Sequence, residues 1–156
     1  VLLFALPSRV LSLAGAKLPE VFGTTETLGL VLAVTGAALG LWCILTFVFI
    51  GKGTQAPFDP PKTLVIRGPY RALRNPMYAG ATLVLGGAAI FYGSLAVLVY
   101  ALLFWLTAHI AVVFFEEPAL RRLFGDAYET YSTEVGRWWP HRNSHSLPAS
   151  MRKPER

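Results

Sequence analysis

Apolar residues in this chain come in long blocks rather than at the three-and-four spacing of an amphipathic helix. Leu28 to Ile50 runs 23 residues without Asp, Glu, Lys or Arg. At about 1.5 Å per residue, such a run crosses a hydrocarbon core of ~30 Å. Gly29, Gly36 and Gly40 recur along it at helical spacing. Gly36-Ala37-Ala38-Leu39-Gly40 predicts a small-xxx-small face for close helix contact. A second block, Ala79 to Phe115, holds 37 residues without those charges. As one helix it would reach about 55 Å, so it predicts a hairpin instead. Tyr92-Gly93-Ser94, preceded by the flexible Gly86-Gly87 pair, is the natural break. The arms are then 79–91 and 95–115, the first short for a full crossing.

The pattern changes after Glu116-Glu117. Pro118 fits the first turn of a new helix. Leu120, Phe124, Tyr128, Tyr131, Val135 and Trp138 recur at spacings of three and four, which predicts an apolar, aromatic face. That helix, ending in Trp138-Trp139-Pro140, should lie along the membrane interface, either as an anchor alone or with Phe124, Tyr128 or Tyr131 also forming a lid over a site. Residues 1–15 are apolar but interrupted by Pro7, Ser8 and Arg9. They read as the end of a first span, an interfacial helix or a signal remnant. The predicted class is an all-α membrane protein with about four spanning or partly spanning helices, including the hairpin at 79–115. One membrane domain would cover 1–140, with its catalytic region at about 50–140 and a flexible basic tail at 141–156.

Composition agrees: 54% of residues are hydrophobic and 15% charged, against roughly 25% charged in a soluble domain. The net charge of +5 reflects topology more than nucleic acid, for which no motif is present. Segment 51–78 holds Lys52, Lys62, Arg67, Arg71 and Arg74 against Asp59 alone, while 16–27 has Lys17 against Glu20 and Glu26. The positive-inside bias therefore predicts a multi-pass protein with 51–78 and the C-terminal tail in the cytoplasm. A hairpin between Gly80 and Glu116 demands the same sidedness for both flanks. Cys43 is the only cysteine and lies in an apolar run, as a small buried hydrophobe would. No His, Cys, Asp or Glu cluster has metal-ligand spacing.

Charge at the edge of hydrocarbon is costly and marks candidate sites. Gly51 to Pro61 is rich in turn formers and predicts a rigid, non-helical path. Arg71 and Arg74, three apart, fall on one side of any helical turn, and guanidinium forks suit carboxylate or phosphate. Positive-inside markers at the headgroups would look the same. Asn75-Pro76 ends one element as Met77-Tyr78-Ala79-Gly80 opens the next. Glu116 and Glu117 are about 100° apart on a helix, so one can face a pocket while the other caps, pairs with an arginine or meets water. A carboxylate accepts from two hydroxyls, such as those of a ribose, and offsets a positive centre. His109 lies about two turns deeper, as a structural donor or a base.

These two blocks together resemble integral-membrane methyltransferases, the isoprenylcysteine carboxyl methyltransferases and phospholipid N-methyltransferases. The first is Gly68-Pro69-Tyr70-Arg71…Arg74-Asn75-Pro76-Met77-Tyr78-Ala79-Gly80. The second runs from Phe115-Glu116-Glu117-Pro118 through Tyr128 and Tyr131 to Val135 and Arg137-Trp138-Trp139-Pro140. The resemblance implies S-adenosylmethionine as cofactor, with Tyr70, Asn75, Pro76 and Tyr78 lining its pocket and Glu116 and Glu117 as an acidic wall. It implies methyl transfer to a lipid-borne or hydrophobic acceptor, carboxylate or amine, entering from the bilayer. Arg71 or Arg74 would position a carboxylate acceptor; His109 or a glutamate would take the proton of an amine. Asn75 stands where the carboxyl methyltransferases usually have His, and no Arg shortly precedes the acids. Asn-Pro-Met-Tyr and Glu-Glu-Pro are more similar to the phospholipid enzymes. Two alternatives remain open: an NADPH-dependent membrane sterol-type reductase with Arg71 and Arg74 on the cofactor phosphate, and a non-catalytic assembly protein whose arginines and glutamates form interhelical salt bridges.

Overall fold

Each long apolar block of the sequence is helical in the computed structural model, which describes residues 22–46, 48, 49, 64 and 66–140. The helices are α1 (Thr24–Thr46), α2 (Pro76–Phe91), α3 (Leu95–Ala111), α4 (Glu117–Phe124) and α5 (Asp126–Glu134). A 3₁₀ turn covers Gly68–Arg71 and a π turn covers Val112–Glu116; no strand occurs among the described residues. The expectations for 1–15, for the turn-rich path at 51–61 and for the tail at 141–156 lie outside the described residues.

Helix α1 starts four residues before the charge-free run. The Glu26 carboxylate accepts from the Gly23 N–H at 2.9 Å, and Thr27 Oγ1 donates to the Gly23 carbonyl at 2.9 Å. A glutamate reaching back to the first free N–H of a helix satisfies a donor the backbone cannot. Helix α2 also starts early, at Pro76, where a missing N–H costs nothing. Tyr78 therefore sits in the first turn of α2, as the break at Asn75-Pro76 predicts. The break falls where expected: Gly93 has φ +56 and Ser94 caps α3 through Val97 N.

Two helical stretches, Thr24–Thr46 and Leu95–Phe124, are long and apolar enough to cross a membrane. Only 17% and 22% of their most apolar windows are buried. Leu30, Val34 and Leu41 on α1, and Leu98, Leu102 and Leu106 on α3, point outward and exposed. The core helix of a soluble domain would be covered, whereas lipid solvates such faces.

Helix α2 packs along α1 and against α3. Its contact with α1 is antiparallel and glycine-lined. A Cβ on Gly36 would come within 2.5 Å of the Gly80 carbonyl, and one on Gly87 within 2.5 Å of the Gly29 carbonyl. The backbones meet directly at these two levels, which is how helices associate without a hydrophobic drive. Gly40 also brings its backbone against Gly80, its N 3.2 Å from where a Gly80 Cβ would stand, but its own Cβ position is open, so only Gly29 and Gly36 of α1 require the missing side chain. Gly87, expected as a flexible prelude to the break, is one of the packing residues.

The second arm does not stop before the acids. Leu95 to Phe124 is one continuous helical path of 30 residues, about 45 Å long. Pro118 lies inside it. A proline clashes with the carbonyl four residues back, and the wider π turn at Val112–Glu116 lies where that relief is needed. The amphipathic segment beyond is two helices, not one. Gly125, at φ +50 and ψ −128, turns the chain between α4 and α5 in a conformation only glycine adopts without strain. Tyr128, Tyr131 and Val135 then pack with Leu64, Ile66, Leu120 and Phe124. A second small cluster joins Cys43 and Tyr70 to Leu39 and Met77. Tyr70 links the two, since its carbonyl accepts from Tyr131 Oη at 2.7 Å.

Candidate functional site

The acids, Arg74 of the loop and the C-terminal segment converge at one end of the helices. Glu117 is 4% exposed and accepts from two guanidiniums. Arg137 grips it as a fork, Nε to Oε1 at 2.6 Å and Nη2 to Oε2 at 2.9 Å. Arg74 adds a single contact, Nη1 to Oε1 at 3.2 Å. A buried carboxylate needs such pairing, because removing either partner leaves a charge in a medium that solvates it poorly. Arg74 Nη1 also lies 3.4 Å from Tyr128 Oη, while its Nε is buried with no partner among the described residues. Glu134 Oε1 is likewise buried and unpartnered among them.

Glu116 points elsewhere. It is half-buried, and Tyr78 Oη donates a short hydrogen bond to its Oε1. That is its one hydrogen bond among the described residues, so Oε2 keeps its lone pairs. The 100° offset between vicinal residues thus separates two roles: Glu117 turns into the ion network, and Glu116 turns toward the first turn of α2.

Loop and C-terminal segment are tied by their backbones. Arg74 N donates to the Gly136 carbonyl at 2.9 Å, and Asn75 Nδ2 donates to the Arg137 carbonyl at 3.5 Å. With the Tyr131–Tyr70 bond, three hydrogen bonds hold residues 70–75 against residues 131–137. Burial pushes the Tyr131 phenol far above its ordinary range. Burial also raises Tyr128, helped by the negative Glu117 and partly offset by Arg74. Both phenols are neutral at physiological pH, Tyr131 donating to the Tyr70 carbonyl and Tyr128 accepting from Arg74. Arg137 is raised mainly by its hydrogen bonds to Glu117.

The other expected residues are placed as follows. Tyr70 and Pro76 are buried in packing, and Asn75 sits between α2 and the Arg137 backbone. Arg71 is exposed at the end of the 3₁₀ turn. The turn ends there, so Arg71 and Arg74 do not share a face; only Arg74 turns inward. His109 Nδ1 accepts from Trp138 Nε1 at 3.0 Å, and Trp105 stacks on its ring at 5.5 Å. An indole N–H can only donate, so Nδ1 is the unprotonated nitrogen and is already engaged. The structure thus pairs Arg74 with Glu117 and Tyr78 with Glu116, and ties His109 to the Trp pair instead. Among the described residues no group of three His, Cys, Asp or Glu could hold a metal.

Spacing along the chain assigns Arg137 no role of its own. It stands 20 residues from Glu117, beyond the Gly125 turn that breaks the segment into two helices. Its one signal was the basic residue inside Gly136-Arg137-Trp138-Trp139-Pro140.

A family model described as phospholipid methyltransferase matches residues 20–127. No curated protein and no solved structure matches the chain.

Proposed function

The chain belongs to the phospholipid methyltransferase family, a family of membrane methyltransferases, and on that premise we propose that it transfers methyl from S-adenosylmethionine to a lipid-borne or hydrophobic acceptor. The observation that carries this reading is the division of labour between the vicinal acids. Glu117 is consumed by two arginines, and Glu116 keeps a carboxylate oxygen available beside Tyr78.

Two features of the site fit the cofactor. The available Glu116 oxygen suits ribose hydroxyls or the surroundings of a sulfonium. The buried Nε–H of Arg74, without a partner among the described residues, suits a carboxylate or phosphate oxygen. When bound, S-adenosylmethionine supplies an electrophilic methyl group for direct displacement. The chain's own work is to align the reactants and exclude water. Tyr78 and Glu116 would line the ligand, with Tyr70, Asn75, Pro76 and the Glu117 network shaping the wall behind them. Glu116 would accept the proton of an amine acceptor, directly or through Tyr78, since His109 Nδ1 is engaged by Trp138. Arg71, exposed at the loop, would meet an anionic headgroup.

Lipid is the natural source of the acceptor, given the exposed apolar faces of α1 and α3. The charge distribution supports a multi-pass topology with the site on the cytoplasmic side, within a single unit spanning 1–140. Calorimetric titration of the detergent-solubilised protein with S-adenosylhomocysteine and, in parallel, NADPH tests the class. Saturable binding of the first alone is expected. Binding of NADPH alone would point to a reductase, and binding of neither by folded protein to an assembly role.

A further inference from the structure

Arg137 lies beyond the residues that the family model matches, yet it decides how the buried acid is shared. A carboxylate offers one fork position, and Arg137 occupies it with contacts of 2.6 and 2.9 Å. Arg74 is left with one end-on contact of 3.2 Å, and its buried Nε–H faces no acceptor among the described residues. Were Arg137 absent, Glu117 could take Arg74 bidentately, Nε included, because planar fork pairing is the stronger arrangement.

Resting on the methyltransferase reading, we infer that Arg137 is a positioning residue: it holds Glu117 so that the Nε edge of Arg74 stays open to an anionic oxygen of the ligand. That oxygen belongs to the carboxylate at the cofactor's amino-acid end or to the phosphate of a lipid acceptor. The loop itself does not depend on the Arg137 side chain. It is held by the Arg74 N to Gly136 carbonyl bond, the Asn75 Nδ2 to Arg137 carbonyl bond and the Tyr131 Oη to Tyr70 carbonyl bond. Loss of the side chain should therefore change the pairing of Arg74 before it changes the fold.

The test compares Arg137→Ala and Arg137→Lys with wild type in the full, detergent-solubilised chain. Two probes are titrated: S-adenosylhomocysteine, and methylthioadenosine, which keeps the nucleoside but lacks the amino-acid end. If the anion is the cofactor's carboxylate, Arg137→Ala weakens S-adenosylhomocysteine by about tenfold or more, the scale of one charge-assisted hydrogen bond, and leaves methylthioadenosine unchanged. If it is the acceptor's phosphate, both nucleosides bind as in wild type and the KM for phospholipid in vesicles rises instead. Arg137→Lys falls between in either case, since an ammonium keeps the charge without the fork; it also carries the test should the alanine variant not fold. Equal weakening of both nucleosides marks a merely structural residue and overturns the inference, as does no change in any of the three readouts. Wild-type protein that is folded and binds neither nucleoside defeats the methyltransferase reading itself, and this inference with it.

Discussion

Helices α1 and α2 meet without a single charged group at their closest levels, while forty-odd residues later the chain closes on itself through charged and phenolic groups. At the α1–α2 contact the specificity is steric: backbone touches backbone at Gly36/Gly80 and Gly29/Gly87. At the C-terminal closure it is electrostatic, with Arg74 and Arg137 sharing the Glu117 carboxylate. The contrast follows from solvent. In lipid, apolar side chains gain little by meeting one another, so close approach decides. At the edge, stripping either partner from a buried ion pair is costly, which fixes geometry tightly enough for a site.

Breaking each region should therefore look different. The largest effect is expected from Gly36→Leu, which drives a side chain into the Gly80 carbonyl and should cost more than about 3 kcal/mol, beyond ordinary overpacking. Thermal denaturation in detergent would show it as a large fall in Tm. Gly40→Ala, with open space at its Cβ, should be neutral or gain a few tenths of a kcal/mol from helix propensity, roughly. Equal losses at both positions would remove the distinction between the two glycine levels.

Next in size is Glu117→Ala, which leaves two guanidiniums facing each other and should cost about 3 kcal/mol. It should abolish ligand binding through loss of structure, with binding and Tm falling together. A stable variant with intact affinity would mean the network does not shape the site.

The smallest effect concerns alkaline pH. Tyr131 is buried in the C-terminal closure and holds its proton above the ordinary phenol range. A group with a raised folded pKa contributes stability that is full below its unfolded value, about 10 for a phenol, and lost as pH rises above it. The C-terminal closure should thus loosen above about pH 10 while the α1–α2 pair, which has no titratable group at its glycine levels, persists. Tyrosine absorbance and helical circular dichroism, followed together, should separate. Simultaneous transitions would contradict the independence of the two regions.

The helices were legible because a charge-free run of sufficient length has few other uses. Their starts were less so: Glu26 and Pro76 extend α1 and α2 through polar or loop-like residues by capping and by a fixed backbone angle. The continuity through Pro118 was hidden because a π turn leaves no mark in hydrophobic spacing. At the site, the sequence singled out the acids and Arg74, since charge at a membrane edge is conspicuous. It placed Arg71 beside Arg74 on helical spacing, and the 3₁₀ turn ends too soon for that. It grouped His109 with the acids by periodicity, whereas a tryptophan from the C-terminal segment engages its Nδ1. Arg137 escaped because its partner is reached through a turn at Gly125, not along a helix.

In the proposed site Glu116, and not Glu117, meets the ligand. Calorimetric titration of Glu116→Gln with S-adenosylhomocysteine, beside wild type and with Tm recorded for both, tests this most directly. Saturable binding by wild type is expected, with affinity lowered by about tenfold or more in the variant and Tm unchanged. Wild-type affinity in Glu116→Gln would contradict this placement.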